Sequence, residues 1–317
     1  MSPLQVTPSA GRPLSAGAIA LMLMLCFSWG FNQIAVKLAL PDIPPMLQAT
    51  IRSSVALPTL LLMGWIRGVN FFERDGTLAA GLSAGILFGL EFVLIYQGLR
   101  FTSASRAVVF LYTAPFFVAF GSHYLLGERL GASQWLGLAL SFAGVALAIG
   151  VPQANVDAHV LFGDLMLVCG GAIWGATTLI AKGTRLRFAA PEKALGYQVA
   201  LSIPMLAVAA LLSGETITRV PGPLAMSLVV YQAIWVVGIT FTLWFSLVQT
   251  YSASKLSAFT FIAPLFGVIA SYFIMHDALT PVFGAAALLV IAGLFLVNRP
   301  NQTKPVATDR LLNVTKT

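Results

Sequence analysis

Charge is what this sequence has least of. Asp, Glu, Lys and Arg make up 9% of its 317 residues, against 58% hydrophobic. A soluble domain is about one-quarter charged, so this chain cannot cover a surface that faces water. Its mean hydropathy of +0.88 suits division into membrane-crossing runs of roughly 20 apolar residues. Cysteine and histidine are scarce too. Cys26 and Cys169 lie inside apolar runs and read as buried thiols. His123, His159 and His276 are scattered, so no group has metal-ligand spacing. No Gly-x-x-x-x-Gly-Lys-(Ser/Thr) run is present to cradle phosphates, and no nucleophile can be matched with a base. These absences argue against an ATPase, a metal site, a cofactor and an enzyme. The net charge of +7 does not imply nucleic acid, because the basic residues stand at the ends of apolar runs, where they report orientation in a bilayer. No cleavable signal peptide is evident: residues 1–16 hold three prolines and little apolar character, and the run after them is long enough to span.

Long continuous apolar runs are what the chain does have. Ten can be drawn, at roughly 17–38, 44–66, 77–98, 103–126, 131–150, 162–182, 191–213, 222–248, 253–275 and 281–298. Strand-like alternation is missing, and within lipid only helices satisfy their own backbone hydrogen bonds. The expected fold is therefore an all-α membrane protein of ten transmembrane helices. Most connections are short, so neighbours run antiparallel. If the N-terminus is cytoplasmic, thirteen of the eighteen Lys and Arg residues lie inside; Lys37, Arg52, Arg100, Arg106 and Arg219 lie on the other side. That excess favours both termini inside, with 151–161, which has no Lys or Arg, outside.

The chain also repeats itself. Ser103-Ala104-Ser105-Arg106 returns as Ser252-Ala253-Ser254-Lys255, a shift of 149. At that shift Ala114-Pro115 meets Ala263-Pro264, Ser122 meets Ser271, Glu128 meets Asp277 and Leu130 meets Leu279. Nine of the 28 pairs from Ser103 to Leu130 are identical without a gap. Earlier, at a shift of 145, Trp29-Gly30 meets Trp174-Gly175 and Lys37 meets Lys182. Each repeat holds five helices, an odd number, so the second enters the membrane from the opposite side. Two inverted five-helix repeats form an architecture of secondary transporters, with substrate near the midplane between the halves. The expected divisions are an N-terminal tail 1–16, a first repeat 17–150, a linker 151–161, a second repeat 162–298 and a C-terminal tail 299–317.

These features resemble the drug/metabolite transporter superfamily, and most of all its ten-helix EamA-type branch: a Trp-Gly in each first helix, Ser-Ala-Ser-(Arg/Lys) before an Ala-Pro helix, and Gly127-Glu128-Arg129-Leu130 after it. The resemblance covers about 17–298. Glu128 takes the family's Gly-Glu position, whereas the second half departs to His276-Asp277-Ala278-Leu279, keeping the acid. The resemblance implies export or exchange of amino acids, metabolites or drugs across an inner membrane without ATP hydrolysis, with aromatic amino acids among the substrates. The implied partners are a small-molecule substrate and the lipid bilayer, and the chain is taken as a monomer or weak homodimer. A membrane-embedded sensor or enzyme that binds without translocating is the alternative.

Candidate substrate-binding residues follow from depth and polarity. Glu91 stands roughly 14 residues into an apolar run of 22, and a carboxylate there usually faces a protein interior or aqueous cavity. It reads as a contact for a substrate amine, a proton-coupling group, or a structural glutamate, protonated or paired with Arg52 or Arg106. Tryptophan prefers the membrane interface, yet Trp29, Trp174 and Trp235 fall near run centres. Asn32 and Gln33 share a helical face with Trp29, as Thr177 and Thr178 do with Trp174. These polar faces suit either a central cavity or interhelical hydrogen bonds. Tyr96, Gln97, Tyr112, Tyr197, Gln198, Tyr231 and Gln232 are weaker candidates, equally suited to be satisfied buried groups. Pro115 and Pro264 lie inside matched runs, where proline kinks a helix, and are candidate hinges or gates. Gly81, Gly85 and Gly89 mark a face for close helix approach. Lys37 and Lys182 are expected to snorkel, Arg106 and Lys255 to anchor helix ends or gate opposite mouths, and Glu128 and Asp277 to be structural. All acids but Glu91 are expected in tails, loops or helix ends.

Overall fold

The computed structural model describes residues 14–102, 104–150, 157–276 and 281–299, the side chains of 104 and 105 excepted. Most of the two tails, most of the 151–161 linker, Ser103 and Asp277 therefore lie outside the described residues.

Ten membrane helices follow one another. They are α1 (Ala16–Ala39), α2 (Pro45–Ile66), α3 (Leu78–Gly98), α4 (Ala104–Leu111 and Ala114–Leu125), α5 (Ala132–Ile149), α6 (Ala158–Gly183), α7 (Pro191–Leu212), α8 (Pro223–Thr250), α9 (Ala253–Met275) and α10 (Val282–Asn298). Among the described residues nine are long and apolar enough to cross a bilayer, and α10 has 17 residues, about 25 Å at 1.5 Å per residue. Local sequence sets the ends. Ser15 Oγ accepts from the Ala18 N–H at 3.2 Å and Asp157 caps α6. Proline opens α2, α7 and α8, where its missing N–H would be unpaired anyway. Outward faces carry Phe27, Leu62, Leu165 and Phe295, all exposed, as a surface against hydrocarbon requires.

The halves pack by a two-fold scheme. α1 packs on α9 and its counterpart α6 on α4; α2 crosses α7; α3 lies on α7 and α2 on α8; α5 pairs with α10. The symmetry holds at single residues. A Cβ on Gly30 would sit 2.5 Å from the Ala263 carbonyl oxygen and 2.7 Å from the Gly267 nitrogen; one on Gly175 would meet Phe117 and Val118, the positions matching Phe266 and Gly267. In the α5–α10 crossing, Gly293 meets Gly137 and Gly144 meets Ala286, contacts that exchange under the 149-residue shift. Gly81, Gly85 and Gly89 let α3 approach α7, a Cβ on each colliding with Tyr197, Leu201 or Met205. In membranes, where lipid is as apolar as the helix faces, such close approach is a main source of association.

Three helices are irregular, and two of them revise the sequence expectation. Pro115 and Pro264 do not kink continuous helices. Each sits in the first turn of the second piece of a broken one, α4 resuming at Ala114 and α9 at Ala263 after a short 3-10 turn, Thr260–Ile262. Proline fits a first turn without losing a hydrogen bond, so the break precedes the proline. α8 winds as a π-helix over Tyr231–Thr240, a form frequent at functional sites.

The Gly-Glu turn after α4 has an unexpected twin. Gly127 has φ +70, which glycine adopts freely, and its repeat counterpart His276 has φ +60. The second half thus keeps the left-handed turn while giving up the glycine.

Candidate functional site

A cavity of about 160 Å³ opens between the halves. α1 supplies Trp29, Asn32 and Gln33, and α6 supplies Trp174, Thr177 and Thr178. α2 and α3 bring Arg52, Phe88, Glu91, Phe92 and Ile95, while α7 and α8 bring Gln198, Val236, Phe241, Trp244 and Phe245. Leu111 and Tyr112, at the break in α4, complete the wall. Trp29 is the fourteenth of the 24 residues of α1 and Glu91 the fourteenth of the 21 of α3, so the cavity lies near mid-depth.

Its walls are of two kinds. One is aromatic and rigid. Trp29 Nε1 donates to Thr240 Oγ1 at 2.9 Å, and its ring meets Trp244 edge-on at 5.6 Å. Trp174 stands edge-on to Tyr112. The other wall is polar and under-satisfied. Arg52 is 3% exposed and Glu91 7%, and no ion pair within 4.0 Å joins them. Arg52 Nε and Nη2, Gln198 Oε1 and Asn32 Oδ1 are buried atoms with no hydrogen-bond partner. Arg52 rests its guanidinium 4.4 Å from the centre of the Phe92 ring. Buried polar atoms are normally paired, and these four orphans belong to residues that line one cavity.

Polar contacts join the halves at both membrane faces. At one face Glu128, from the first repeat, accepts from Ser252 Oγ at 2.7 Å, Ala253 N at 3.1 Å, and Ser254 N and Oγ at 3.3 and 3.0 Å, capping the start of α9. Lys182 is 3.9 Å from Glu128 and donates to the Val248 and Tyr251 carbonyls at the end of α8. It is 5% exposed, which corrects the expectation that it snorkels; Lys37 is exposed as expected. In the loop between α2 and α3 Asp75 pairs with Lys193 at 2.8 Å and accepts from Thr77 Oγ1 at 2.6 Å, and these two hold its carboxyl well below the usual carboxylate range. At the opposite face Arg106 pairs with Asp164, which also accepts from Thr102 Oγ1 at 2.8 Å. Asp42 accepts from the Gly222 N–H at 2.8 Å and pairs with Arg219, and both lower its pKa. Glu215 Oε2 accepts from the Met46 and Leu47 N–H groups at the start of α2.

Comparison with known proteins places this architecture. A family profile described as "EamA-like transporter family" matches residues 16–150 and again 161–299, once per repeat. The chain belongs to the EamA-like transporter family. Similar proteins include the uncharacterized transporter YoaV of Bacillus subtilis, 26% identical and aligned over 84% of this chain and 92% of its own length. Another is the probable amino-acid metabolite efflux pump of Salmonella typhimurium, 25% identical over 87% of this chain and 93% of its own. A solved crystal structure shares the fold with TM-score 0.76 at 19% identity, covering 89% of this chain and 98% of that one. This EamA-like protein is accordingly a multi-pass membrane transporter of the drug/metabolite superfamily and not an enzyme.

The structure of the transporter gathers seven of the eight candidate binding residues, Trp29, Asn32, Gln33, Glu91, Trp174, Thr177 and Thr178, around one cavity. Trp235 is the exception. It lies in the π-helical stretch of α8 but points away, 37% exposed, with Nε1 bonded to Ser28 Oγ at 3.0 Å; Val236 lines the cavity instead. Three other expectations change. Arg106 pairs with Asp164, not with Glu91. Asp164 is itself buried seven residues into α6, not at a helix end. Cys169 is exposed, while Cys26 is buried. Among the described residues no group of His, Cys, Asp and Glu could hold a metal ion.

Sequence reasoning weighed Arg52 only as a partner for Glu91. A signal for its place was available: at a shift of 146, Pro45, Arg52 and Pro58 of α2 meet Pro191, Gln198 and Pro204 of α7. Arg52 and Gln198 are thus equivalent positions on equivalent helices, and both reach the cavity.

Proposed function

We propose that this chain moves small organic metabolites across the inner membrane by alternating access of its two inverted repeats, in the direction of export, with amino acids favoured and aromatic ones among them. The observation that carries this reading is the mid-depth cavity, where aromatic side chains face buried polar atoms that lack partners. An amino acid with an apolar side chain has the matching halves, one for stacking and one for hydrogen bonding. The efflux role named for the Salmonella typhimurium relative supports the same substrate class. In this reading the contacts made by Glu128 and by Asp164 hold the halves together at opposite faces, and the breaks before Pro115 and Pro264 act as hinges. Both termini are cytoplasmic, the working unit is a monomer or weak homodimer, and the repeats divide at the 151–161 linker.

Counterflow of labelled amino acids in proteoliposomes tests the proposal. Wild type should exchange internal for external substrate, and Trp29→Ala and Trp174→Ala should each lower the rate at least tenfold with the fold retained. Trp235→Phe, off the cavity, should transport normally. Binding without counterflow would mean a sensor and would end the transport reading of this cavity.

A further inference from the structure

The cavity holds one guanidinium and one carboxyl side chain with no ion pair within 4.0 Å between them, Arg52 and Glu91. We infer that these two residues form a split ion pair that a zwitterion completes: Arg52 anchors a carboxylate, Glu91 faces the ammonium, and the site selects ligands whose charges balance. The inference rests on the reading of the cavity as the substrate site.

The first argument is the shape of the orphaned edge. Arg52 holds its guanidinium carbon over the Phe92 ring, 4.4 Å from its centre, a contact that uses none of its N–H donors for a hydrogen bond. The two unpaired atoms are Nε and Nη2, neighbours on one edge, and neither is exposed. Two parallel N–H groups on one guanidinium edge match the two oxygens of one carboxylate. A single orphan would be ambiguous. A complete fork is the geometry of bidentate recognition.

The second argument is the remaining inventory. Gln198 Oε1 and Asn32 Oδ1 are acceptors without donors, and Glu91 brings a third acceptor group to the same cavity. A primary ammonium has three donors and no acceptor. The polar lining thus offers both a donor fork and a set of acceptors, the complement of an α-amino acid backbone. A lone carboxylate would leave the acceptors unmatched. A lone amine would leave the fork unmatched, and an unpaired buried charge is strongly unfavourable.

The third argument is asymmetry. Trp29 and Trp174, and Phe92 and Phe241, are repeat-related pairs that line the cavity from both halves. The charges break this symmetry: Arg52 answers to Gln198 at a shift of 146, and Glu91 to Thr240 at 149. A charge pair needed to fold a five-helix repeat would be expected in both repeats. One present in a single half suits a ligand with its own two unlike ends.

Three probes with one ring and different charges test the inference: L-phenylalanine, 3-phenylpropionate and phenethylamine. Binding to the purified full chain is measured by calorimetry in detergent, and counterflow in phosphatidylethanolamine/phosphatidylglycerol vesicles. Wild type should bind phenylalanine at least tenfold more tightly than either singly charged probe. Glu91→Gln should shift the preference to 3-phenylpropionate, and Arg52→Gln to phenethylamine. Exchange of preference is a result that a merely structural role does not produce. Should Arg52→Gln fail to fold, Arg52→Lys should keep the wild-type order with weaker binding, and Glu91→Gln alone decides. Wild type that binds none of the three or all equally, or variants that weaken every probe in parallel, would overturn the inference. Charge-ordered binding without counterflow would refute transport and leave the split pair standing; counterflow indifferent to probe charge would do the reverse.

Discussion

Replacing Glu128 by glutamine should destabilise the protein by about 2–5 kcal/mol, and the structure says where the loss arises. Oε2 accepts three hydrogen bonds, from Ser252 Oγ and from Ser254 N and Oγ, and Oε1 accepts the Ala253 N–H. A glutamine can keep its oxygen at the three-bond site. Its amide nitrogen then faces the Ala253 N–H, and one orphaned donor costs about 1–3 kcal/mol. Loss of the negative charge at the start of α9 removes about 0.3–1 kcal/mol more. Lys182, buried 3.9 Å away, loses its counter-charge but keeps two carbonyl acceptors, so its share is about 1 kcal/mol, below the 3–5 kcal/mol of a fully broken buried pair. Reversible unfolding of purified protein in mixed detergent micelles, with a double-mutant cycle against Lys182→Met, measures both quantities. A loss under about 0.5 kcal/mol for Glu128→Gln would refute the argument that this carboxylate ties the halves together. A coupling to Lys182 indistinguishable from zero would refute the electrostatic share alone.

His276→Gly should stabilise the fold by about 0.5–1 kcal/mol, since a non-glycine residue at φ +60 is strained; an unchanged or lower melting temperature would count against it. Gly30→Val should abolish folded protein or leave it severely destabilised, because its Cβ would sit 2.5 Å from a backbone oxygen of α9, while Gly284→Ala, with open space around it, should express normally. Asp75, whose carboxyl is held low by Lys193 and Thr77, contributes stability that is complete above the ordinary carboxyl pKa of about 3.9 and is lost as pH falls below it. Melting curves between pH 3 and 7 should show the onset of this loss below about pH 4, and it should shrink in Asp75→Asn, which is already less stable at pH 7. Cysteines placed at 155 and in the C-terminal tail should label from outside only at 155; the opposite pattern would reverse the proposed orientation.

Sequence alone determined the class, the helix count and the inverted repeat. These depend on local quantities: the length of apolar runs against the thickness of a bilayer, and the match of short motifs at fixed shifts. It also found the first-helix faces around Trp29 and Trp174, because helical periodicity places i, i+3 and i+4 together whatever the neighbours do. Only the tertiary structure decided what stands opposite those faces. Arg52 and Gln198 reach the cavity because α2 and α7 cross beside it, with Ser53 and Ser202 meeting at 3.3 Å in the crossing. Trp235 lies off the cavity because its depth in the run said nothing of its direction, and packing turns its ring to Ser28 of α1. Lys182 turned inward because the open carbonyls at the end of α8 and the carboxylate of Glu128 meet there, groups distant in sequence that offer a buried ammonium more than the interface does. Periodicity gives the direction a side chain leaves its own helix; which partners it finds depends on the packing of helices far apart in the chain.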